Sequence, residues 1–401
     1  METGTKFTES RAKQPVDYVI RVFDNPLEIA PAAWDTLCDA QDTPSPFMQY
    51  AYLAALHTSG SATPETGWHP QFVTLWLDNA LVAGCAIYLK DHSYGEYVFD
   101  WAWAKAYADH GLNYYPKALS AVPFTPVPGS RLLAVDAPSR LAVLQACLSL
   151  CQQQHLSSLH LLFTSPADRT ACEALGLLQR QTVQFHWHNH GFASFDAFLA
   201  SLNQEKRKKI KQERRRVSDA GVTFRCLHGA QIQTQDWDFF YSCYERTYLE
   251  HGNAPYLSRS FFEAMQRDMP DNWLLFIAER DQHAIASSLI AIQDIGTSKA
   301  VAYGRYWGAL ERVDCLHFEA CYYQPLAWCI EHGVSRFEGG AQGEHKMARA
   351  LMPVTTFSAH WLAHPAFSDA VARFLDREAT GVNGYLEHLA ERSPYRSDPL
   401  P

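Results

Sequence analysis

The chain has 401 residues, of which 47% are hydrophobic and 19% are charged, and its formal net charge is −9. A chain of this length can bury large cores in two or three domains, which excludes a disordered protein, a disulfide-stapled miniprotein and a fibrous repeat. No apolar run approaches the ~20 residues that cross a bilayer, and residues 1–16 are interpreted as a disordered leader without a signal-peptide core. We therefore expect a soluble, cytoplasmic protein, and the net acidity taken alone argues against a nucleic-acid partner.

Residues 17–190 are expected to form a first domain that contains both helices and strands. Their hydrophobic pattern predicts strands over 18–23, 71–77, 81–89, 96–103, 160–163 and 181–187, and helices over 30–40, 50–58, 116–120 and 138–155. Asp78, Asn79 and Ala80, between the second and third of these strands, are typical of a tight hairpin turn.

Residues 191–401 are expected to form a second domain that repeats this order after a break near Gly191. The pattern predicts helices over 204–217, 237–251, 258–267, 315–332 and 368–380, and strands over 273–279, 284–292, 299–307 and 336–338. Two helices, a hairpin, an aromatic strand and a further helix therefore occur twice. The sequence predicts a mixed α/β fold of two duplicated domains, each with a mixed sheet flanked by helices.

The ten cysteines include no CxxC pair, so buried and reduced thiols are expected. Cys315 and Cys321 are the candidates for a reactive thiol, because they lie in a dense polar and aromatic segment. His186, His188 and His190 alternate, and a strand would place all three on one face. A flat row suits tetrahedral zinc poorly, so a polar strand face is favoured and no metal is expected.

The most concentrated charge lies in residues 204–217, QEKRKKIKQERRRV, which carry a net charge of +6, so the rest of the chain must sum to −15. Asn203 is a suitable N-cap and Gly221 a suitable stop for this helix, and Ile210 and Val217 form its one narrow apolar seam. A phosphate-rich partner such as tRNA would offset the self-repulsion, and a solvated charged face is the alternative. The expected phosphate or tRNA contacts are Lys206, Arg207, Lys208, Lys211 and Arg215.

Residues 90–101, 303–323 and 338–346 hold more polar and aromatic side chains than a core requires. The last segment has three glycines within five residues, which lets backbone amides approach a ligand, and Lys346 can neutralise an anion there. Such groups at the strand ends of an α/β fold are typical of a functional site. The chain has no GxSxG, Walker or Rossmann motif, which disfavours hydrolases, ATPases and dehydrogenases.

These segments carry a resemblance to a known family. HSYGEYVFDWAWA, YYPKALSAVPFTPVPGSRLL, QFHWHN, YGRYWG, LHFEACYYQ and FEGGAQGEHK resemble the bacterial predicted N-acyltransferases labelled peptidoglycan biosynthesis/recognition, over about residues 44–378. That family is placed in the GNAT superfamily and is similar to the Fem-type aminoacyltransferases. The resemblance implies two tandem GNAT-like domains and transfer of an acyl or aminoacyl group to an amine.

The expected site residues follow from this chemistry class and from their clustering near the second aromatic strand. Glu319 or His317 is expected to accept a proton, Tyr303 and Arg305 to contact the carbonyl or the acceptor, and Lys346 a phosphate or carboxylate. The expected substrate-binding residues are His92, Glu96, Asp100, Trp101, Tyr115, Lys117, His186, Trp307, Gln342, Glu344 and His345.

The acyl donor is the main open question. GNAT enzymes that use acyl-CoA bind its pyrophosphate through an R/Q-x-x-G-x-G/A loop, whereas residues 307–314 read WGALERVD and residues 103–109 read WAKAYAD. An aminoacyl-tRNA donor is therefore favoured over acyl-CoA, with no further cofactor. The alternatives are an acyl-CoA-dependent N-acetyltransferase and a non-catalytic binder of RNA or of a cell-wall precursor. The acceptor, a small-molecule or peptide amine, and the oligomeric state stay open.

Overall fold

The computed structural model describes residues 17–341 and 343–396. The predicted leader over 1–16 and the candidate site residue Gln342 lie outside the described residues. Among the described helices, none combines the length and the apolar surface that crossing a membrane requires.

Thirteen strands of the described residues join into one mixed sheet. They are β1 (Val19–Phe23), β2 (Trp68–Leu77), β3 (Ala80–Lys90), β4 (Lys117–Ser120), β5 (Leu132–Ala134), β6 (Ser158–Leu161), β7 (Leu178–His188), β8 (Val222–His228), β9 (Trp273–Arg280), β10 (His283–Gln293), β11 (Val301–Ala309), β12 (Arg336–Ala341) and β13 (Met352–Leu362). Their order across the sheet is β1-β2-β3-β4-β6-β13-β7-β12-β11-β10-β9-β8, and β5 pairs with β3 outside this path.

Helices cover the faces of this sheet. They are α1 (Pro31–Asp39), α2 (Tyr50–Thr58), α3 (Trp101–Asp109), α4 (Ala137–Gln153), α5 (Pro166–Ala174), α6 (Phe195–Ser201), α7 (Gln204–Asp219), α8 (Thr234–Glu250), α9 (Arg259–Asp268), α10 (Leu316–Phe318), α11 (Gln324–Glu331) and α12 (Pro365–Ala390). A π-helical stretch over Glu319–Tyr323 joins α10 to α11, and a 3-10 helix covers Glu344–Arg349. A π-helical turn inside a helix is often found at a functional site.

The strand order is the same when it is followed inward from either edge of the sheet. On one side β1, β2, β3 and β4 are antiparallel neighbours and β4 runs parallel to β6; on the other side β8, β9, β10 and β11 are antiparallel and β11 runs parallel to β12. The last strand of each half then lies inside the other half, because β7 pairs with β12 and β13 pairs with β6. β7 and β13 meet as an antiparallel pair at the centre. The predicted mixed α/β fold with an internal repeat is confirmed.

Two predicted elements of the first half are wrong. The strand predicted over 96–103 is a loop followed by the start of α3, because Gly95 and Tyr97 have φ values of +81° and +63°, which an extended strand does not allow. The helix predicted over 116–120 is the buried strand β4, held between β3 and β6. The repeat therefore matches β11 with β4. The segment after β4, residues 121–136, which includes the short strand β5, corresponds to the loop after β11, and residues 103–109 do not.

A shared apolar core joins the two halves on the face covered by α1, α2, α8 and α9. The ring centroids of Tyr52 and Phe261 lie 5.3 Å apart, and those of Phe47 and Tyr303 lie 5.2 Å apart, both in edge-to-face geometry. All four rings are buried. Such aromatic pairs add stabilisation beyond the burial of their area, so this core fixes one half against the other.

Candidate functional site

A cavity of about 600 Å³ is lined by residues from both halves of the chain, and we call it the interface cavity. The first half contributes the loop 93–101, Pro126 and four residues of β7. The second half contributes Gly304 and Arg305 of β11, the glycine-rich end of β12 and Tyr385 of α12. Cavities of this size at a junction between domains are typical ligand sites.

The interface cavity opens where β11 and β12 separate. These parallel strands pair from Val301↔Arg336 to Tyr303↔Glu338. Beyond this point β12 continues to pair with β7 on its other side. The register between β10 and β11 shifts beside Arg305, which makes this residue a β-bulge. Bulges redirect side chains next to functional sites, and Arg305 lines the cavity.

The end of β12 presents bare backbone to the cavity. A Cβ atom on Gly339 would lie 2.3 Å from Cδ2 of Leu351 and 2.9 Å from the carbonyl oxygen of Phe185, so the packing behind the strand has no room for a side chain. Gly340 and Gly343 have φ values of +73° and +96°, a conformation that favours glycine. Backbone groups at these positions are therefore accessible to a ligand.

Arg305 and Lys346 place two positive groups beside this backbone. Lys346 Nζ donates to the carbonyl oxygen of Gly339 at 2.6 Å, and burial together with the charge of Arg305 lowers the pKa of Lys346 to about 8. Arg305 Nη2 donates to the carbonyl oxygen of Phe124 at 3.5 Å. Arg305 Nε is buried and has no hydrogen-bond partner among the described residues, so it can serve a ligand.

A buried ion cluster lies behind the loop 93–101. Lys117 Nζ donates to Glu96 Oε2 at 2.7 Å, to Ser93 Oγ at 2.8 Å and to a carboxylate oxygen of Asp100. Burial raises the pKa of Glu96 to about 7. Burial also opposes the ionisation of Asp100, but the charges of Lys117 and His160 outweigh it and lower the pKa of Asp100 to about 2. The structure thus brings three predicted substrate-binding residues together.

The cluster continues toward the centre of the sheet through side chains that the sequence analysis missed. Tyr114 donates its hydroxyl proton to Asp100 Oδ2 at 2.6 Å and lies 3.0 Å from His160 Nε2. His160 Nδ1 lies 2.8 Å from His360 Nδ1 on β13. Burial lowers the pKa of both histidines, that of His160 to about 3, so both are neutral near pH 7. The alternation of Ser158 and His160 with two leucines along β6 was the available signal.

An aromatic surface forms the rim of the interface cavity on the loop 93–101. Ser93 lines the cavity and its Oγ lies 2.8 Å from the hydroxyl of Tyr115, which ties this loop to the ion cluster. The rings of Tyr94 and Trp101 lie 5.1 Å apart, with 59% and 42% of these residues exposed. His92 Nδ1 accepts from the backbone N–H of Tyr94 at 3.2 Å, so it supports the rim.

Glu319 and His317 lie beside the basic helix α7 and are not among the residues that line the interface cavity. Glu319 is buried and accepts hydrogen bonds from Arg214, with Nη2 at 3.1 Å from Oε1, and from Gln324 Nε2 at 2.7 Å. His317 Nδ1 lies 3.4 Å from Cys321 Sγ, and burial lowers the pKa of His317 to about 4. Burial raises the pKa of the Cys321 thiol to about 12, which disfavours a reactive thiolate.

Three further predicted site residues of the second half, Trp307, Glu344 and His345, are not among the residues that line the interface cavity. Trp307 lines a shallow cavity beside α8. Glu344 is exposed and accepts from the hydroxyl of Tyr385 at 3.1 Å, next to the interface cavity. His345 Nε2 lies 3.4 Å from the hydroxyl of Tyr322, and burial lowers the pKa of His345.

A second cavity, of about 490 Å³, contains the predicted residues Tyr303 and His186, and we call it the Glu338 cavity because Glu338 lines it as well. Tyr303 donates its hydroxyl proton to Gln293 Oε1 at 3.2 Å. Burial lowers the pKa of His186 to about 3, and its Nε2 lies 3.1 Å from Gln184 Oε1. Within the described residues, no group of three or more His, Cys, Asp or Glu side chains is arranged to hold a metal ion. The predicted site residues are therefore not gathered in one place: Trp101 and Arg305 line the interface cavity, Tyr303 and His186 line the Glu338 cavity, and Trp307 lines the shallow cavity beside α8.

The basic helix α7 forms as the sequence predicts. Asn203 Oδ1 accepts from the backbone N–H of Lys206 at 3.0 Å and caps the helix, Gly221 follows its end with a φ of +74°, and Ile210 and Val217 are buried. Its exposed basic side chains are Lys208, Lys209, Lys211, Arg215 and Arg216, while Lys206 and Arg207 are half-buried.

Glu213 is a buried anchor of this helix that the sequence analysis missed, because it lies among charged neighbours. It accepts from Arg349 Nη2 at 2.9 Å and from the hydroxyl of Tyr323. The ion pair between Arg214 and Glu319 adds a second attachment. Helix α7 is thereby joined to the π-helical stretch and to the segment 344–349, which directly follows the glycine-rich end of β12.

The symmetric sheet, the exchanged strands and the split parallel pair define a protein of two similar α/β halves that share one mixed sheet. The chain belongs to the FemAB-like family, described as peptidoglycan biosynthesis/recognition, which matches residues 26–397. No curated protein sequence gives a significant match to the chain.

Solved structures share the fold at low sequence identity. The C-terminal domain of a putative lysylphosphatidylglycerol synthetase from Agrobacterium fabrum has a TM-score of 0.53 and 10% identity, covering 86% of this chain and 95% of that one. The structure of FemX has a TM-score of 0.53 and 10% identity, covering 86% of this chain and 99% of that one. L-PGS from Bacillus licheniformis has a TM-score of 0.51 and 9% identity, covering 86% and 97%. These similarities establish the fold alone.

Proposed function

We propose that the protein is an N-acyltransferase that moves an aminoacyl group from aminoacyl-tRNA to the amine of a small-molecule or peptide acceptor. The main support is the interface cavity, where Arg305 and Lys346 flank the bare backbone of Gly339 and Gly340. Membership of the FemAB-like family supports an acyl or aminoacyl transfer. The name of the structural neighbour from Agrobacterium fabrum, a putative lysylphosphatidylglycerol synthetase, describes a product that carries an aminoacyl group.

In the proposed reaction the acceptor nitrogen forms a bond to the acyl carbon. The ester bond between that carbon and the ribose oxygen of tRNA breaks, and the ribose oxygen leaves with a proton from the amine. The carbonyl oxygen gains negative charge in the transition state. Arg305 Nε and the protonated Lys346 are the groups that we assign to this oxygen. Arg305 lines the cavity and its Nε has no partner among the described residues, and Lys346 Nζ lies 2.6 Å from the carbonyl oxygen of Gly339, which lines the cavity as well.

The basic helix supports tRNA as the donor. Its exposed cations lie on α7, whose residue Glu213 contacts Arg349 in the segment that follows the glycine-rich end of β12, while Arg214 contacts Glu319 in the π-helical stretch. A phosphate backbone on this helix would thus bind an element that contacts the segment 344–349 through Glu213 and Arg349. The segments that follow the equivalent strands β4 and β11 are residues 121–136 and 310–315. The first contains one glycine, Gly129, and the second contains none, so neither resembles a pyrophosphate-binding loop.

The proposal is tested with full-length protein, radiolabelled aminoacyl-tRNA or acyl-CoA, and a panel of primary amines, with amide products detected by mass spectrometry. We expect product from aminoacyl-tRNA, and loss of most turnover in Arg305→Gln. The matched control is Arg246→Gln, which removes an exposed arginine on α8 that pairs with Glu250. Turnover with acyl-CoA alone would instead indicate an acyl-CoA-dependent enzyme. Salt-dependent tRNA binding without product from any donor would indicate a non-catalytic RNA binder.

A further inference from the structure

The four most exposed aromatic residues of the part of the chain that the structure describes lie together on the loop 93–101. They are Tyr94, Tyr97, Phe99 and Trp101, with 59%, 37%, 55% and 42% of each residue exposed, and all four line the interface cavity. Exposed apolar side chains that occur singly are ordinary, whereas a cluster of them beside a cavity marks a surface that contacts a ligand or a partner. We call these four residues the aromatic rim.

The backbone of this loop adopts a costly conformation that keeps the rings at the cavity. Tyr97 has a φ of +63°, which is unfavourable for a residue with a bulky side chain. A Cβ atom on Gly95 would lie 2.6 Å from Phe124 Cδ1, so the loop packs directly on this ring, which stacks on Tyr256 with 4.7 Å between the centroids. Tyr256 lines the cavity as well. Strained backbone that presents exposed side chains is typical of ligand-binding segments.

The charges around the interface cavity leave no partner for a positive side chain of a ligand. Among the described residues that line it, the charged ones are Arg180 and Arg305. Both oxygens of Glu378 accept from Arg180 at 2.8 Å, and Glu344 pairs with Arg392 at 2.7 Å. The carboxylates of the buried ion cluster do not line the cavity and already pair with the lysine of that cluster. A second ammonium group on the ligand would therefore face two arginines without a carboxylate to balance it.

We propose that the aromatic rim binds an uncharged aromatic or large apolar side chain of the acyl group that the protein transfers. The assignment to the acyl group rests on the proposed function, because Arg305, to which we assign the acyl carbonyl oxygen, lines the same cavity as the rim. Such a side chain buries apolar area against the rings, whereas a lysyl side chain brings an unpaired charge and a glycyl group leaves the rings exposed. The rim thereby selects among aminoacyl donors. Of its four residues, Trp101 alone was among the site residues expected from the sequence.

The test is an NMR titration of the full-length protein, without tRNA, with phenylalaninamide, lysinamide and glycinamide. The three probes share one α-amino group and one carbonyl, so differences in affinity report the side chain. We expect phenylalaninamide to bind the wild type at least about tenfold more tightly than the other two, because its ring is buried. The double variant Tyr94→Ala with Trp101→Ala should lose most of this preference. The matched control Leu249→Ala removes an exposed apolar side chain on α8 that does not line the interface cavity, and it should keep the preference.

A fourth probe, phenethylamine, distinguishes a ring on the acyl group from a ring on the acceptor. It carries the ring on an amine and has no carbonyl. It should bind the wild type more weakly than phenylalaninamide does, and this difference should shrink in Arg305→Gln. Phenethylamine that binds as tightly as phenylalaninamide would place the ring on the acceptor and overturn the assignment to the acyl group.

Equal binding, or no binding, of phenylalaninamide and lysinamide to the wild type overturns the proposal, and so does an unchanged preference in the folded double variant. Circular dichroism and the thermal midpoint establish that each variant is folded. Because the titration contains no activated donor, its failure leaves the transfer reaction untouched. An intact preference for the ring with no transfer from any donor would count against the proposed function and leave the aromatic rim as a binding site.

Discussion

Arg214 of the basic helix and Glu319 of the π-helical stretch form an ion pair, with Nη2 and Oε1 3.1 Å apart. Glu319 is buried, while about a third of the Arg214 side chain is exposed. Arg214 therefore holds α7 to the rest of the protein, whereas most other basic side chains of this helix are exposed. The consequence is that the positive residues of α7 have separable roles, and substitutions can tell them apart.

Removing the Arg214 partner is expected to lower stability. Arg214→Gln leaves the Glu319 carboxylate buried with Gln324 as its remaining neutral donor, which should cost ~1–3 kcal/mol of unfolding free energy. Urea denaturation measures this difference. Arg215→Gln, one residue further along on the exposed side of α7, is the control and should change the free energy of unfolding by less than ~0.5 kcal/mol. Equal stability of the two variants would contradict the anchoring role of Arg214.

The exposed side of α7 is expected to carry tRNA affinity. Neutralising Arg207, Lys208, Lys211 and Arg215 together should weaken tRNA binding and reduce the slope of log K against log salt by roughly three, because about four phosphate contacts are lost. Filter binding at several salt concentrations measures both effects. The thermal midpoint should stay near that of the wild type, since none of these four side chains is buried. An unchanged salt slope would show that tRNA does not contact this surface.

The proposed role of Lys346 predicts a pH profile. Burial and Arg305 lower the pKa of Lys346 to about 8, so turnover should fall as the pH rises through about 8 and the positive charge is lost. Lys346→Arg keeps its charge and should move this fall to higher pH, whereas Lys346→Met should lose most turnover at every pH. The stability effect has the opposite sign: between about pH 8 and 10.5 the unfolded chain binds this proton and the folded chain does not, so the contribution of Lys346 to stability rises with pH. A profile of kcat that is flat from pH 7 to 9 would contradict the assignment.

The glycine at position 339 is expected to be irreplaceable. Gly339→Ala introduces a Cβ atom 2.3 Å from Leu351 Cδ2, so β12 must shift, with a loss of ~1–3 kcal/mol and of most turnover. Gly381→Ala is the matched control, because Gly381 lies in the interior of α12 and an added Cβ has nothing within 4 Å. There the gain in helix propensity should stabilise the protein by ~0.5–1 kcal/mol. Chemical denaturation and the transfer assay together separate the two outcomes.

Local patterns predicted much of the secondary structure. The β2–β3 hairpin followed from two apolar runs around Asp78 and Asn79, whose φ values of +50° and +62° are those of a tight turn. The basic helix followed from its cap and its two apolar residues. The strand predicted over 96–103 failed because its aromatic residues suit a strand by composition, while the positive φ of Tyr97 depends on packing that one sequence does not reveal.

The candidate site was harder to predict, because it depends on pairing between distant strands. Glu319 and Arg305 belong to neighbouring motifs in the sequence, yet the structure places one against α7 and the other in the interface cavity. Glu338 and Arg336 share one face of a strand, and that spacing was the available signal for the second cavity. The cavities beside β12 also depend on β7 and β13. These strands pair with partners that are distant in the sequence, so the sequence pattern of β12 does not reveal which of its faces borders a cavity.

The exchange of β7 and β13 limits how substrates can enter. The two strands pair from Met352↔His186 to His360↔Leu178 at the middle of the sheet, so a hinge motion that swung the halves apart would have to break this ladder. Admission to the interface cavity is therefore expected to depend on movement of its bordering loops. Each half expressed by itself would also lack a neighbour for its inner parallel strand and would expose an open sheet edge, so the halves should assemble only when both are produced together.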